Sequence, residues 1–299
     1  MAIEVIVNGF YRSGTTMLWD ILKQSNPEKN IFYEPLNPYL AYYIRKEEYY
    51  NTPNALHNLY LFQEYIRSDK NLIDKIIDKH PVLDHPLPND KQRLYEYLNI
   101  FDELDNSVLQ VNRLHFHMTD IHERYNAKIV HIIRNPFDVY NSILVDFYRS
   151  TYTKDWKWKY YYQYKFRKWY DLHLNHFDIK PMYEFIQKKY GYNQDYFHAS
   201  SDGTFNYFLV NWIVCNYHAI KSINDVNGIL VTYEDVVSNT EKNFLNISNY
   251  TGLNMKPEMV KKAKKIRVED MRSKYDLSNL TKGTILDEMS KYIYENINT

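Results

Sequence analysis

The sequence is poor in cysteine, in net charge and in long apolar runs. Cys215 is the one cysteine among 299 residues, which excludes an intramolecular disulfide framework and predicts a reducing, cytoplasmic setting. The opening segment, MAIEVIVNGF, carries Glu4 inside its apolar run and is too short for a secretory signal peptide. No stretch reaches the roughly 18 apolar residues of a membrane-spanning helix, so we expect a soluble chain with no membrane span.

Neither sign of charge predominates. Lys and Arg total 37, Asp and Glu total 37, and the formal net charge is zero. A chain without net positive charge has no bulk attraction for nucleic acid or an anionic membrane, so neither is expected as a partner. A hydrophobic content of 44% over this length is enough to bury a sizeable core.

Short β-branched runs alternate with helical stretches along the chain. This alternation predicts an α/β fold, a three-layer α/β/α arrangement with a central parallel sheet. No linker or internal repeat interrupts it, so residues 1–299 are predicted to form a single domain, with helical insertions at about 36–106 and 145–205. The predicted strands are residues 3–8, 31–33, 107–111, 127–134 and 228–233.

The segment NGFYRSGTT, residues 8–16, has the spacing of a nucleotide-triphosphate loop but lacks its lysine, because Thr15 stands at that position. A glycine-containing turn that leads into a helix directs backbone N–H groups and the helix dipole at one point, which suffices for one phosphate. The guanidinium of Arg12 adds a permanent positive charge. The expected phosphate ligands are Arg12, Ser13, Gly14, Thr15 and Thr16.

Polar side chains follow each of the other predicted strands. Glu34 follows the second strand and residues 113–117 follow the third, while Arg134 ends the fourth and residues 233–235 stand at the end of the fifth. Ligands of parallel sheets bind beyond the carboxyl ends of the strands. These side chains are therefore expected to line the same edge of the sheet as the loop.

Three segments, in chain order, resemble motifs of the sulfotransferases that use 3′-phosphoadenosine 5′-phosphosulfate (PAPS). FYRSGTTML resembles the family's 5′-phosphosulfate loop, HIIRNPFDVYNSIL its 3′-phosphate motif, and VTYEDVVSNTEKNFLNISNYTGL its later YEDL segment. FYEP is similar to a segment of glycan and tyrosylprotein members. The resemblance implies an O-sulfotransferase with PAPS as donor and no metal. Its acceptor is a hydroxyl of a glycan, lipid, small molecule or peptide tyrosine, and we favour a glycan or small molecule.

The resemblance also implies roles for residues distant from the loop. Arg134 and Ser142 match the Arg and Ser that bind the 3′-phosphate, and Tyr233 stands near a residue that contacts adenine. The residues alone allow other roles. Arg134 can end its strand and pair with Asp138, Ser142 can be a small helix residue, and Tyr233 can pack at its strand end.

The resemblance assigns Arg12 to stabilising the leaving phosphate, whereas the residues alone also allow a surface arginine in a turn. Glu34 is the first candidate for the base that deprotonates the acceptor, although it can instead pair with Arg12 and order it. His115 is the rival base. Small-molecule sulfotransferases carry K-T-H-L-P after the third strand, where this chain reads VNRLH, and His115 is displaced by two positions. His131 lies within a predicted strand and is expected to be a core residue.

Two other functions stay open, a nucleotide kinase or triphosphatase with a degenerate loop and a catalytically inactive nucleotide-binding relative. The aromatic segment 147–170 can be a packed helix pair, an acceptor lid or a surface that stacks on bases. The His-containing segments HFH and HLNH lack partner ligands at metal-site spacing, so no metal is expected. Cys215 lies in an apolar run and is expected to be buried and inert.

Overall fold

Five parallel strands form the centre of the computed structural model, which describes residues 3–46, 59–81, 88, 90–151, 179–191, 203–262, 275–284 and 286–298. These residues group into two compact units, Met1–Ile133 with His218–Val268 and Arg134–Tyr217 with Glu269–Thr299. The single domain over residues 1–299 stays a prediction.

The sheet lies in the first unit and has the strand order β2-β3-β1-β4-β5, with every neighbouring pair parallel. The two strands beside β1, which are β3 and β4, are buried almost without interruption, as expected of parallel strands flanked by helices. The α/β fold with a central parallel sheet is therefore confirmed. The strands are β1 Ile3–Gly9, β2 Asn30–Tyr33, β3 Ser107–Val111, β4 Lys128–Ile133 and β5 Ile229–Thr232.

Helices of the first unit surround this sheet. Two of them begin at aspartates whose carboxylates accept a hydrogen bond from a first-turn amide, Asp69 from Asn71 N and Asp90 from Arg93 N. The helices are α1 Thr15–Ser25, α2 Leu40–Arg45, α3 Gln63–Ile66, α4 Lys70–Lys79, α5 Lys91–Asp102 and α6 Met118–Tyr125.

The second unit is helical in its described residues and packs around aromatic side chains. α7, Pro136–Thr151, starts at a proline, a residue that the first turn of a helix tolerates. α8 is Ile179–Tyr190, and α9, Gly203–Asp225, begins in this unit and ends in the first. Cys215 on α9 is fully buried, as expected, and burial raises the pKa of its thiol. Of the aromatic segment 147–170, residues 152–170 lie outside the described residues.

The helices that follow β5 are divided between the two units. α10 Tyr233–Ser238, α11 Thr240–Thr251 and a short 3-10 helix, Pro257–Lys262, belong to the first unit, and α12 Ser278–Thr281 and α13 Leu286–Ile297 to the second. β5 ends one residue earlier than expected because the Thr232 hydroxyl accepts a hydrogen bond from Asp235 N and so caps α10. Tyr233 is therefore the first residue of a helix, not the end of a strand. No helix in the described ranges is long and apolar enough to cross a membrane.

Candidate active site

Two glycines shape the loop between β1 and α1. A Cβ atom on Gly9 would lie 2.7 Å from the Ile132 carbonyl oxygen, and one on Gly14 would lie 2.5 Å from Cδ2 of Tyr233. Gly14 also has φ +102°, a left-handed conformation that glycine adopts without steric cost. The loop backbone is therefore packed directly against β4 and against the first residue of α10.

The loop presents the free amides of a helix start. The turn closes through Ser13 N donating to Phe10 O at 3.1 Å, and the bond from Leu18 N to Gly14 O at 3.2 Å opens α1. Gly14 caps the helix without a side-chain hydrogen bond, and the first turn contains no acidic residue. The N–H groups at the start of α1 thus have no intrahelical acceptor and lie at the positive end of the helix dipole, which suits an anion.

Arg12 and Glu34, the two leading catalytic candidates, share an unusual backbone conformation. Their φ angles are 65° and 43°, and Phe62 is the one other residue with positive φ that is neither Gly nor Asn in the described ranges. Such conformations cost on the order of 1–3 kcal/mol and persist where the surroundings enforce them, often at functional sites. The structure thus marks both residues independently of the sequence motifs.

The charges of both residues act on the pKa of the Tyr33 phenol. Burial, followed by the charge of Glu34, raises the pKa of Tyr33 well above its ordinary value, while a hydrogen bond with Thr16 and the charge of Arg12 oppose the shift. Arg12 therefore lies within electrostatic reach of the β2 end that carries Glu34. The hydroxyl of Tyr33 lies 3.1 Å from that of Thr16 on α1.

The carboxylate of Glu34 is bound on both oxygens. Oε1 accepts a hydrogen bond from Asn112 Nδ2 at 2.6 Å, and Oε2 accepts one from Asn37 Nδ2 at 2.7 Å. The backbone N–H of Glu34 donates to the Gln110 carbonyl at 2.9 Å, continuing the pairing of β2 with β3. The carboxylate is half-buried and fixed in orientation.

Asn112, which the sequence motifs did not single out, joins this carboxylate to the loop. Its Oδ1 accepts hydrogen bonds from Thr15 Oγ1 at 3.1 Å and from Gln110 Nε2 at 2.9 Å. One sequence signal was available, since Asn112 is the first residue after β3 and directly precedes residues 113–117, which the sequence places at the edge of the sheet. Two of its partners, Thr15 and Glu34, lie 97 and 78 positions away along the chain, which no local pattern reveals.

The hydroxyls of the loop are not all directed at a ligand. Thr15 is 3% exposed, and its hydroxyl donates a hydrogen bond to Asn112 Oδ1, so in this conformation the hydroxyl is engaged within the protein. Ser13 is fully buried, and its Oγ has no hydrogen-bond partner within the described part of the chain. The binding of a phosphate by residues 12–16 stays a prediction.

His115 is enclosed rather than open to an acceptor. Its side chain is fully buried, its ring packs edge-on against Phe10 and His131, and both ring nitrogens lack hydrogen bonds to any described residue. Burial first, then the neighbouring His131, Arg113 and His218, lowers its pKa well below the usual value. His131 is fully buried, and its Nδ1 lies 3.1 Å from Asn8 Nδ2, which confirms the expected core histidine.

The expected 3′-phosphate residues belong to the second unit. Arg134 directly follows β4, and its carbonyl accepts a hydrogen bond from Trp212 Nε1 at 3.1 Å. Asp138, the alternative partner of Arg134, accepts a hydrogen bond from Asn135 Nδ2 at 2.8 Å, while Asn135 Oδ1 caps α7. Ser142 lies half-buried on α7. The roles of Arg134 and Ser142 at a 3′-phosphate stay predictions.

Tyr233 packs on the loop through its contact with Gly14, as the packing alternative requires. Its contact with adenine stays a prediction. Within the residues that the structure describes, no group of three or more His, Cys, Asp or Glu side chains is arranged to hold a metal ion.

Comparison with known proteins gives a consistent result. A family model described as sulfotransferase domain matches residues 2–297. An uncharacterized protein of Archaeoglobus fulgidus is 28% identical over 314 aligned residues, covering 97% of each chain. The sulfotransferase domain from the curacin biosynthetic pathway has 12% identity and a TM-score of 0.46, covering 98% of this chain and 96% of its own. A sulfotransferase from Alicyclobacillus acidocaldarius has 12% identity and a TM-score of 0.43, covering 100% and 97%.

The domain match extends over nearly the whole chain and includes the loop, the Glu34 network and the segment around Arg134. It agrees with a central parallel sheet whose phosphate-type loop follows β1. The chain therefore belongs to the sulfotransferase domain family, whose chemistry is sulfuryl transfer.

Proposed function

We propose that the protein transfers the sulfuryl group of PAPS to a hydroxyl of a glycan or another small hydroxylated acceptor. The observation that carries this proposal is the joining of the Glu34 carboxylate to the phosphate-type loop through Asn112 and Thr15. A loop of backbone amides with a guanidinium and no lysine suits a single phosphate. A fixed carboxylate beside it suits removal of a proton from a hydroxyl.

The donor side of the reaction falls to the loop. PAPS supplies the sulfuryl group, and its 5′-phosphate becomes the leaving group. The amides at the start of α1 hold that phosphate at the positive end of the helix dipole, and Arg12 stabilises the negative charge that develops on the leaving oxygen. Arg134 and Ser142 bind the 3′-phosphate in this proposal, and Tyr233 flanks the adenine.

The acceptor side falls to Glu34. Its carboxylate is half-buried and pre-oriented, whereas His115 is fully enclosed and exposes neither ring nitrogen. A base must come within hydrogen-bond distance of the proton that it removes. Geometry therefore favours Glu34 over His115 as the base. The second role for Glu34, ordering Arg12, is compatible with this one because both place the carboxylate beside the loop.

Nucleotide binding separates the proposal from its rivals. Thermal unfolding is measured with adenosine 3′,5′-bisphosphate and with ATP, each with and without magnesium. A ligand that binds the folded state raises the melting temperature. Metal-independent stabilisation by the bisphosphate alone supports the sulfotransferase. Magnesium-dependent stabilisation by ATP supports a kinase or triphosphatase, for which the loop lacks the lysine.

Transfer itself is measured with sulfur-labelled PAPS and a panel of a pyranoside, an aliphatic alcohol and a tyrosyl peptide. Glu34→Gln is expected to lower transfer by on the order of 10²–10⁴-fold, the usual contribution of a general base, while bisphosphate still stabilises the variant. Arg12→Ala is expected to abolish transfer and to leave part of the bisphosphate binding. Bisphosphate binding with no transfer to any acceptor or to water identifies the inactive relative instead.

A further inference from the structure

Asn112 carries an inference that rests on the proposed function and extends it. We infer that Asn112 is a positioning residue for sulfuryl transfer, which holds the Glu34 carboxylate in register with the donor loop. The side chain is 5% exposed, so it acts on Glu34 and the loop from within the protein.

The polarity of the hydrogen bonds defines what Asn112 does. Its carboxamide oxygen accepts from two donors, Thr15 Oγ1 and Gln110 Nε2, so its nitrogen is the atom that faces Glu34 Oε1 at 2.6 Å. Because Gln110 lies on β3 and Thr15 on α1, the carboxamide is fixed from two elements. Because the oxygen is fixed in this way, the nitrogen lies on the opposite side of the carboxamide, and Glu34 accepts one of its two N–H groups.

The contact from Asn112 fixes the carboxylate group itself. The backbone N–H of Glu34 pairs with the Gln110 carbonyl on β3, while its φ of 43° is a left-handed conformation that the surroundings must enforce. The second clamp, Asn37, comes from the same turn, three residues away. Asn112 is thus the contact that fixes the carboxylate relative to the loop. Misplacement of a reacting group by about 1 Å can lower a rate on the order of 100-fold.

Asn112→Asp removes the donor side of the carboxamide and keeps its acceptor side. The substituted side chain has nearly the same shape and keeps an oxygen for Thr15 and Gln110, but it turns an oxygen instead of an N–H toward Glu34 Oε1. We expect kcat to fall on the order of 10–100-fold, with KM for PAPS within about twofold of the wild-type value. The reaction measured is release of adenosine 3′,5′-bisphosphate from PAPS, with the best acceptor of the panel or with water.

A double-mutant cycle distinguishes positioning from general support of the fold. If Asn112 acts through Glu34, Asn112→Asp has no further effect in the Glu34→Gln background. Asn26→Ala is the matched control, since Asn26 is 2% exposed and its carboxamide also joins separate segments of the chain, but it lies at the opposite end of α1 from the loop. That control is expected to lower the melting temperature and to leave kcat unchanged.

The outcomes separate the inference from the proposed function. The positioning role of Asn112 is overturned if Asn112→Asp lowers kcat equally in the wild-type and Glu34→Gln backgrounds, or if it raises only KM. Either result leaves sulfuryl transfer unaffected. Wild-type turnover equal to that of Glu34→Gln overturns Glu34 as the base and the inference with it, whereas a wild type that releases no adenosine 3′,5′-bisphosphate from PAPS overturns the proposed function. Should Asn112→Asp fail to fold, judged by bisphosphate-induced thermal stabilisation, Asn112→Ser gives the same reading of kcat against KM.

Discussion

At the scale of single residues, neutral side chains hold Glu34, the candidate base. The Glu34 carboxylate is clamped between two carboxamides, those of Asn112 and Asn37, although its backbone is left-handed. Strain of this kind survives only where the surroundings over-determine the conformation. The side chain is consequently oriented before an acceptor arrives, so loss of the carboxylate should affect turnover rather than nucleotide binding.

Arg134 offers a test with two nucleotides. We expect Arg134→Ala to weaken binding of adenosine 3′,5′-bisphosphate on the order of 10-fold or more, because a charge-assisted hydrogen bond to the 3′-phosphate is lost. Binding of adenosine 5′-monophosphate, which has no 3′-phosphate, should stay within about twofold. Titration calorimetry measures both. Arg124→Ala, an exposed arginine on α6, serves as the control, and equal loss for the two nucleotides would refute the assignment.

His115 makes the stability depend on pH. Its folded-state pKa lies well below the ordinary value because of burial and of its basic neighbours, so the unfolded chain takes up a proton that the folded chain does not. The stability is therefore complete above about pH 6.5 and falls as the pH drops below that value. Between about pH 6.5 and 5.5, the unfolding free energy of His115→Phe should fall by about 1 kcal/mol less than that of the wild type. Urea unfolding at both pH values measures it, and parallel curves for variant and wild type would contradict it.

At the scale of elements, the edge strand β2 is secured by the short helix α3. Tyr33 N donates to Glu64 Oε1 at 2.8 Å, Lys23 Nζ on α1 donates to Glu64 Oε2 at 2.8 Å, and Tyr65 OH donates to Tyr33 O at 3.0 Å. Burial raises the pKa of Glu64, and the pair with Lys23 opposes that shift. Glu64 thus joins α1, α3 and β2. Its contact on β2 is Tyr33, the residue directly before Glu34.

Removal of this glutamate should be costly. Glu64→Ala leaves Tyr33 N and Lys23 without their acceptor, and we expect the unfolding free energy to fall by about 2–4 kcal/mol. Glu103→Ala is the control, since its pair with Lys75 is solvent-exposed on both sides and worth less than about 1 kcal/mol. Guanidinium unfolding compares the two variants. A loss at Glu64 no larger than that at Glu103 would show that β2 is held by packing alone.

The elements that the sequence predicts well are those with continuous local signals. β1, β3 and β4 are rich in β-branched residues, and α1 begins directly after Gly14, where the sequence predicts a turn that leads into a helix. Along the chain, Glu64 lies 31 positions from Tyr33 and 41 positions from Lys23, and Asn112 lies 78 positions from Glu34. Such contacts depend on which strands become neighbours, and no window of sequence contains that information. The start of α10 at Tyr233 was missed because a threonine cap overrode the strand pattern.

At the scale of the whole molecule, two compact units share one polypeptide. β4 ends at Ile133 in the first unit, and α7 begins at Pro136 in the second, while α9 starts in one unit and ends in the other. The sequence predicts one domain because it contains no linker composition. Division into two units depends on tertiary contacts, which composition does not encode.

Cooperativity of unfolding tests the single-domain prediction. Helix formation is cooperative, so a break in α9 at the boundary between the units is unfavourable, and we expect both units to unfold in one transition. Calorimetry should give one peak with equal calorimetric and van't Hoff enthalpies. Two peaks, with only one shifted by adenosine 3′,5′-bisphosphate, would show two independent domains.

The clamp on Glu34 has a consequence for the ionic strength at which the protein works. Carboxamide groups carry no net charge, and the bond from Asn112 is almost enclosed, so dissolved ions screen it little. Capture of a multiply charged nucleotide by arginines is, by contrast, weakened by added electrolyte. Raising sodium chloride from about 0.05 to 0.5 M should therefore increase KM for PAPS and leave kcat nearly constant, so that salt governs occupancy but not the speed of the bound complex.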